Sequence, residues 1–124
     1  MTPELDRFGK LFIENVRDRS IWQADSLLSG ILNGESSSVM IERLRALSPE
    51  SRAVIHDLIP LIVDDVLFHT LFHLDEYDTI FHSDAEDGQR GKSVEYVHGE
   101  LAGWLFSDEG WIARYSKERL SIAD

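Results

Sequence analysis

The 124-residue chain contains no cysteine. Disulfides, thiolate-bound metals, iron–sulfur clusters and cysteine nucleophiles are therefore excluded, and the composition suits a reducing cytosol. Cations are scarce as well: 12 Lys and Arg face 23 Asp and Glu, a net charge of −11. Such a surface repels phosphate backbones and anionic lipid, so neither nucleic acid nor a membrane is an expected partner. It attracts a basic protein and speeds its association. Long apolar runs are missing too, because the stretch from Leu58 to Leu74 is interrupted by Asp64, Asp65, His69 and His73, which argues against a membrane span. The start, Met1 to Arg7, has neither the basic nor the apolar region of a secretory signal, and a cytoplasmic location is expected.

Complete catalytic motifs are also lacking. The chain has no HExxH, no GxSxG and no GxxxxGK[ST], the patterns that place a metal and base, a nucleophile elbow or a phosphate cradle. Glu95 and His98 have the spacing used in di-iron bundles, but such sites need a second motif and further glutamates on long helices. Asp84 to Gly88 puts Ser83 and Ala85 at ligand positions of a calcium loop, which leaves a turn as the better account.

What is present is helical patterning over enough chain for one domain and one core. Thr2 and Pro3 signal a first helix over about 3–29, with Leu5, Phe8, Phe12 and Val16 as its apolar face and Lys10, Glu14, Arg17 and Asp18 turned to solvent. A second helix is predicted over about 38–47. Ser48, Pro49 and Glu50 start a third that runs to about 77. Pro60 lies inside it, removing a backbone donor and predicting a kink or break. Beyond Pro60 the segment is apolar on nearly every side, which makes this helix the centre of the molecule. Two β-prone runs within 79–97 predict a small hairpin, and Ser107 with the acids behind it predicts a C-terminal helix over about 108–117. The expected fold is mainly α: a compact helical bundle around a central kinked helix, with a small hairpin before a short last helix.

Phe8-Gly9-Lys10, Glu14-Asn15-Val16-Arg17-Asp18, Gly99-Glu100 and Asp108-Glu109-Gly110-Trp111-Ile112-Ala113-Arg114-Tyr115-Ser116 resemble a family of small acidic bacterial proteins with no assigned activity. The resemblance implies a bacterial origin and a helical domain, and carries over no functional residue.

Two constellations remain. At 100° per residue, Asp65, His69, His73 and Glu76 fall within an arc of about 80° among apolar neighbours, while Asp57, Asp64 and Asp75 form the acidic face. The two imidazoles at i, i+4 with flanking carboxylates suit zinc or another divalent transition metal, but a satisfied buried polar cluster is the better account of the same four residues. Trp104, Trp111 and Tyr115 form either an interaction patch or the pin that holds the last helix to the core. Two functions follow: a non-enzymatic acidic domain of immunity or regulatory type that binds a basic protein, or a metal-binding domain or metal-dependent enzyme using the Asp/His/His/Glu stripe. A homodimer is the commonest assembly for a chain this rich in large apolar residues.

Overall fold

The computed structural model describes residues 1–31, 38–75, 79–84, 89–95 and 100–121, the stretches between 79 and 95 through their backbone. Helix α1 (Pro3–Phe12) begins where its residues dictate: Thr2 Oγ1 accepts from the Leu5 amide at 3.2 Å, and Pro3 occupies the first turn. The helical run expected to residue 29 is present, but its middle is wound differently. A π-helical segment (Ile13–Asp18) separates α1 from α2 (Arg19–Ser29).

That segment changes which side chains point inward. Leu5, Gly9, Ile13, Arg17 and Ile21 are all buried, one at every fourth position. In a regular α-helix a four-residue repeat drifts about 40° around the axis per step. The wider π turn absorbs this drift, so Ile13 and Arg17 face the core. Val16, expected on the buried face, is exposed, and Arg17, expected in solvent, is buried. Helix α2 ends at Gly30, whose φ of 78° is left-handed; the amides of Gly30 and Ile31 return to the carbonyls of Leu27 and Ser26, closing the helix as glycine permits.

Helix α3 (Ser38–Arg45) is two residues shorter than expected. Helix α4 (Pro49–Leu74) starts at the predicted cap, with Ser48 Oγ accepting from the Ser51 amide at 3.2 Å. It ends three residues before position 77, and residues 76–78 lie outside the described ones. The helix runs through Pro60 without a break. Proline leaves the His56 carbonyl without its intrahelical donor, and Arg119 Nη2 donates to that oxygen at 2.7 Å.

Strands β1 (Thr79–Asp84) and β2 (Gln89–Glu95) pair antiparallel, with Thr79 opposite Glu95 and an irregularity between His82 and Asp84. Helix α5 (Glu100–Gly103) is a single turn, its first amides held by Asp75: Leu101 and Ala102 donate to that carboxylate at 3.2 and 3.3 Å. The last helix, expected over 108–117, is confined to α6 (Trp111–Tyr115) and begins at Gly110 rather than Ser107. The backbone folds back there, with the Gly110 amide on the Ser107 carbonyl at 2.8 Å and the Trp111 amide on the Trp104 carbonyl at 2.7 Å. A Cβ at residue 110 would lie 2.6 Å from the Trp104 oxygen, so the turn requires glycine.

The core gathers Leu5 and Ile13 from the first helical run, Leu67 and Leu71 from α4, and Leu101, Leu105, Trp111 and Ile112 from the C-terminal part. Trp111 is its largest member and lies against the backbone of α1, with Phe8 packed edge-on at 5.9 Å between ring centroids. Gly9 makes this approach possible, since a Cβ there would fall 2.1 Å from Trp111 Cε2. Gly→Ala within a helix ordinarily stabilises by up to about 1 kcal/mol. Gly9→Ala is expected to do the reverse, costing about 1–3 kcal/mol through overpacking, as the shift of the urea midpoint at unchanged slope will show.

Candidate functional site

The site begins with the helix whose two sides the amino-acid pattern leaves equivalent. Helix α4 is apolar around most of its circumference, so something other than hydrophobicity must select the face it buries. Pro60, Asp64, Leu67 and Leu71 are the side that points in.

Asp64 is the polar member of that side and pairs with Arg17, whose side chain is 0% exposed. Arg17 Nε donates to Asp64 Oδ1 at 2.6 Å and Nη2 to Oδ2 at 3.2 Å, the two-pronged geometry that makes such pairs strong and directional. Two further donors are used by the extended C-terminal segment: Nη1 reaches Ser116 Oγ at 2.8 Å, and Nη2 the Arg119 carbonyl at 3.0 Å. Ser121 also donates to Asp64 Oδ2. Asp18, next to Arg17, accepts from Ser116 Oγ at 2.6 Å and from the Lys117 amide at 2.9 Å. Arg119 grips Asp25 through both terminal nitrogens, at 2.7 and 2.9 Å. Residues 116–121 thus form a strap tied to the π segment, α2 and α4.

This arrangement corrects the assignment of faces along α4. Asp64 and Asp75, expected on a solvated acidic face with Asp57, are buried. Asp65, His69 and His73, expected on a partly buried ridge, are exposed. The side chains of Asp65 and His69 are 71% and 68% exposed, with Asp65 Oδ1 and His69 Nδ1 3.6 Å apart and the same nitrogen 2.8 Å from the Asp65 carbonyl. Among the described residues no three His, Asp or Glu side chains are grouped so as to hold a metal ion, and Glu76 lies outside those residues. Arc and apolar neighbours misled the assignment because, on a helix apolar all round, neighbours lie on the outer side as well.

Asp65 and His69 are surrounded by Val54, Leu58, Leu61, Ile62, Val66 and Phe72, each between 42% and 66% exposed. Single exposed apolar residues are ordinary, whereas six large ones along one face of one helix are not. The patch extends beyond α4. Phe68 stacks with Phe72 and with Phe106, both at 6.1 Å between centroids, and Phe106 is itself exposed. Glu50, Asp57 and Asp65 lie on or beside this face, and all three are exposed. Between Ala53 and Leu74 there is no Lys or Arg. Arg52, at the start of the helix, is committed to the Leu44 and Leu28 carbonyls. The face is apolar with an acidic edge.

The predicted aromatic group divides between interior and surface. Trp111 is wholly buried and is spent on the core, while Trp104 and Tyr115 are half-buried. Trp104 Nε1 donates to Glu100 Oε1 at 2.9 Å. Tyr115 donates its hydroxyl to Asp6 Oδ2 at 2.5 Å, and Arg114 Nη2 donates to the same oxygen at 2.9 Å, pinning α6 to α1. Burial alone would raise the Asp6 carboxyl, but the hydrogen bonds from Tyr115 and Arg114 and the guanidinium charge outweigh it and hold the pKa below the ordinary value. Burial, then the bond to Asp6, pushes the Tyr115 phenol up.

Two concavities accompany these features. An open groove of about 650 Å³ lies between α2 and the start of α4, lined by Trp22, Leu28, Ile31, Ala53 and His56 among others. Among its polar groups, Ser29 Oγ donates to the Ser26 carbonyl and Asp25 is held by Arg119, while His56 Nδ1 lies 3.7 Å from Asp57. A smaller pocket of about 290 Å³ lies beside Asp64, Phe106, Ile112, Leu120 and Ser121, where the carboxylate is taken by Arg17 and Ser121. Among the described residues no helix is long and apolar enough to cross a membrane. Compared with known proteins, the chain matches no family model, no curated sequence and no solved structure.

Two measurements test the parts that set the site's shape. Arg17→Met and Asp64→Leu each strand one buried charge and are expected to cost about 3–5 kcal/mol, whereas the double variant loses less than either alone because no charge is left unpaired; a double-mutant cycle in urea reads the coupling. For the Asp6 cluster, a depressed carboxyl contributes stability above about pH 4 that is lost as pH falls through its folded pKa. A raised phenol contributes stability below about pH 10 that is lost as pH rises through its folded pKa. The stability difference between wild type and Tyr115→Phe should therefore be flat from about pH 5 to 9 and shrink at both extremes.

Proposed function

We propose that this chain is a non-enzymatic protein-binding domain of immunity or regulatory type, and that the exposed face of α4 is where it binds. One observation carries the reading: the longest helix leaves Val54, Leu58, Leu61, Ile62, Val66 and Phe72 uncovered on a single side while a buried ion pair holds its other side in. An unpartnered apolar face of this extent is stabilised by a second protein surface. The excess of negative charge, −11 over the chain, selects basic partners and speeds their encounter.

The reading predicts a stoichiometric complex that depends on α4. Leu61→Glu combined with Val66→Glu places two charges on the exposed face without touching the core. It is expected to abolish association at an unchanged melting temperature, while Val39→Glu, exposed on α3, leaves association intact. Association of the wild-type chain should slow as salt is added. Partners that bind the α4 double variant as well as wild type, or a wild-type chain that remains alone at every salt concentration and protein concentration, would overturn the proposal.

A further inference from the structure

Resting on that reading, we infer that the α4 face receives a helix of a partner protein, one with an apolar stripe and a lysine or arginine at its centre that pairs with Asp65. The spacing along the face sets the shape of the occupant. Val54, Leu58, Leu61, Asp65, Phe68 and Phe72 follow one another at intervals of four, three, four, three and four residues. This is the seam of a coiled coil, which seats a second helix nearly parallel or antiparallel to the first. Five of the six positions are apolar, and Phe68 is already stacked between Phe72 and Phe106 at 6.1 Å from each, giving the seam a packed end.

The sixth position selects the partner. Asp65 lies mid-seam, and a docked helix would remove it from water. A carboxylate loses much of its hydration there and demands a cation in return. Its neighbour His69 is placed with Nδ1 on the Asp65 carbonyl oxygen, 3.6 Å from the carboxylate. No Lys or Arg occurs on α4 after Arg52, and Arg52 is spent on two backbone carbonyls. With no Lys or Arg beside it, a permanent positive charge for Asp65 has to arrive with the partner. A polar residue at a seam position is the feature that fixes register and partner choice in paired helices.

A second copy of this chain fits poorly. Parallel pairing of two α4 helices sets Asp65 against Asp65. Antiparallel pairing about the middle of the seam sets it among Leu61 and Ile62, buried without a counterion. Both add the repulsion of two chains of charge −11. The acidic edge formed by Glu50 and Asp57 further favours basic residues flanking the partner's stripe, and disfavours an anionic membrane surface.

Two synthetic helices of three heptads provide the test, each with leucine along its seam. One carries lysine at the central seam position and on the flanks; the other carries glutamate at the same places. Titrated into the full chain and followed by amide chemical shifts, the lysine peptide is expected to bind with shifts along residues 54–72, and the glutamate peptide at least tenfold more weakly. Asp65→Ala should weaken the lysine peptide by roughly tenfold, the usual worth of a charge-assisted hydrogen bond, while Asp57→Asn has a smaller effect that salt removes. Equal affinity for the two peptides, or undiminished affinity in Asp65→Ala, overturns the inference. A chain whose own α4 amides are protected in a dimer at micromolar concentration overturns the partner named here but leaves the docking face standing. Binding of neither peptide by a monomer, with the partner-capture experiment also negative, removes both.

Discussion

Arg17 and Asp64 are 47 residues apart and meet in the interior, Arg17 wholly buried and Asp64 nearly so. A guanidinium and a carboxylate can remain charged there only with good geometry and with further hydrogen bonds to the remaining donors. The fold supplies the geometry and partners for four of the five guanidinium N–H groups. The π segment turns Arg17 inward in line with Leu5, Ile13 and Ile21, Asp64 presents both oxygens, and Ser116, the Arg119 carbonyl and Ser121 add the further bonds. Each supporting element is tied to the pair, so the first helical run, the long helix and the last six described residues are positioned together.

The consequence for function comes through the rotation of α4. A helix with apolar residues on all sides gains nearly as much by burying one face as another, and hydrophobic burial, being non-directional, does not choose. An ion pair does choose, because an uncompensated buried charge costs far more than an exposed leucine. Directing Asp64 to Arg17 turns Asp65, one residue and about 100° further on, into solvent among exposed apolar neighbours. The surface that distinguishes this chain is thus a by-product of how its interior charge is satisfied.

The same economy recurs at smaller scale. Pro60 frees the His56 carbonyl, and Arg119, already holding Asp25, donates to it. Asp75, at the end of α4, caps α5 in place of a local serine. Tyr115 and Arg114 share one oxygen of Asp6 and so bind the last helix to the first. These are long-range bonds from polar side chains that look like solvated surface when read residue by residue, and they explain why acidic residues contribute so much to the inside of an acidic protein.

Features governed by neighbours a few residues away were legible without coordinates. Thr2 with Pro3 and Ser48 with Pro49 start helices where caps and missing amides require them, Gly30 ends one, and the mainly α architecture with one long helix follows from the spacing of apolar residues. Trp111 could be recognised as a helix pin, although its partner, the bare backbone at Gly9, could not. The π segment left one trace, a buried series at every fourth residue in which Arg17 stands among Leu5, Gly9, Ile13 and Ile21, a pattern that becomes meaningful only once burial is known. Which of two adjacent aspartates faces the core was beyond local reading, because both have the same chemistry and the same apolar neighbours. That choice belonged to the tertiary structure, where a guanidinium far away in the chain could reach one carboxylate and not the other.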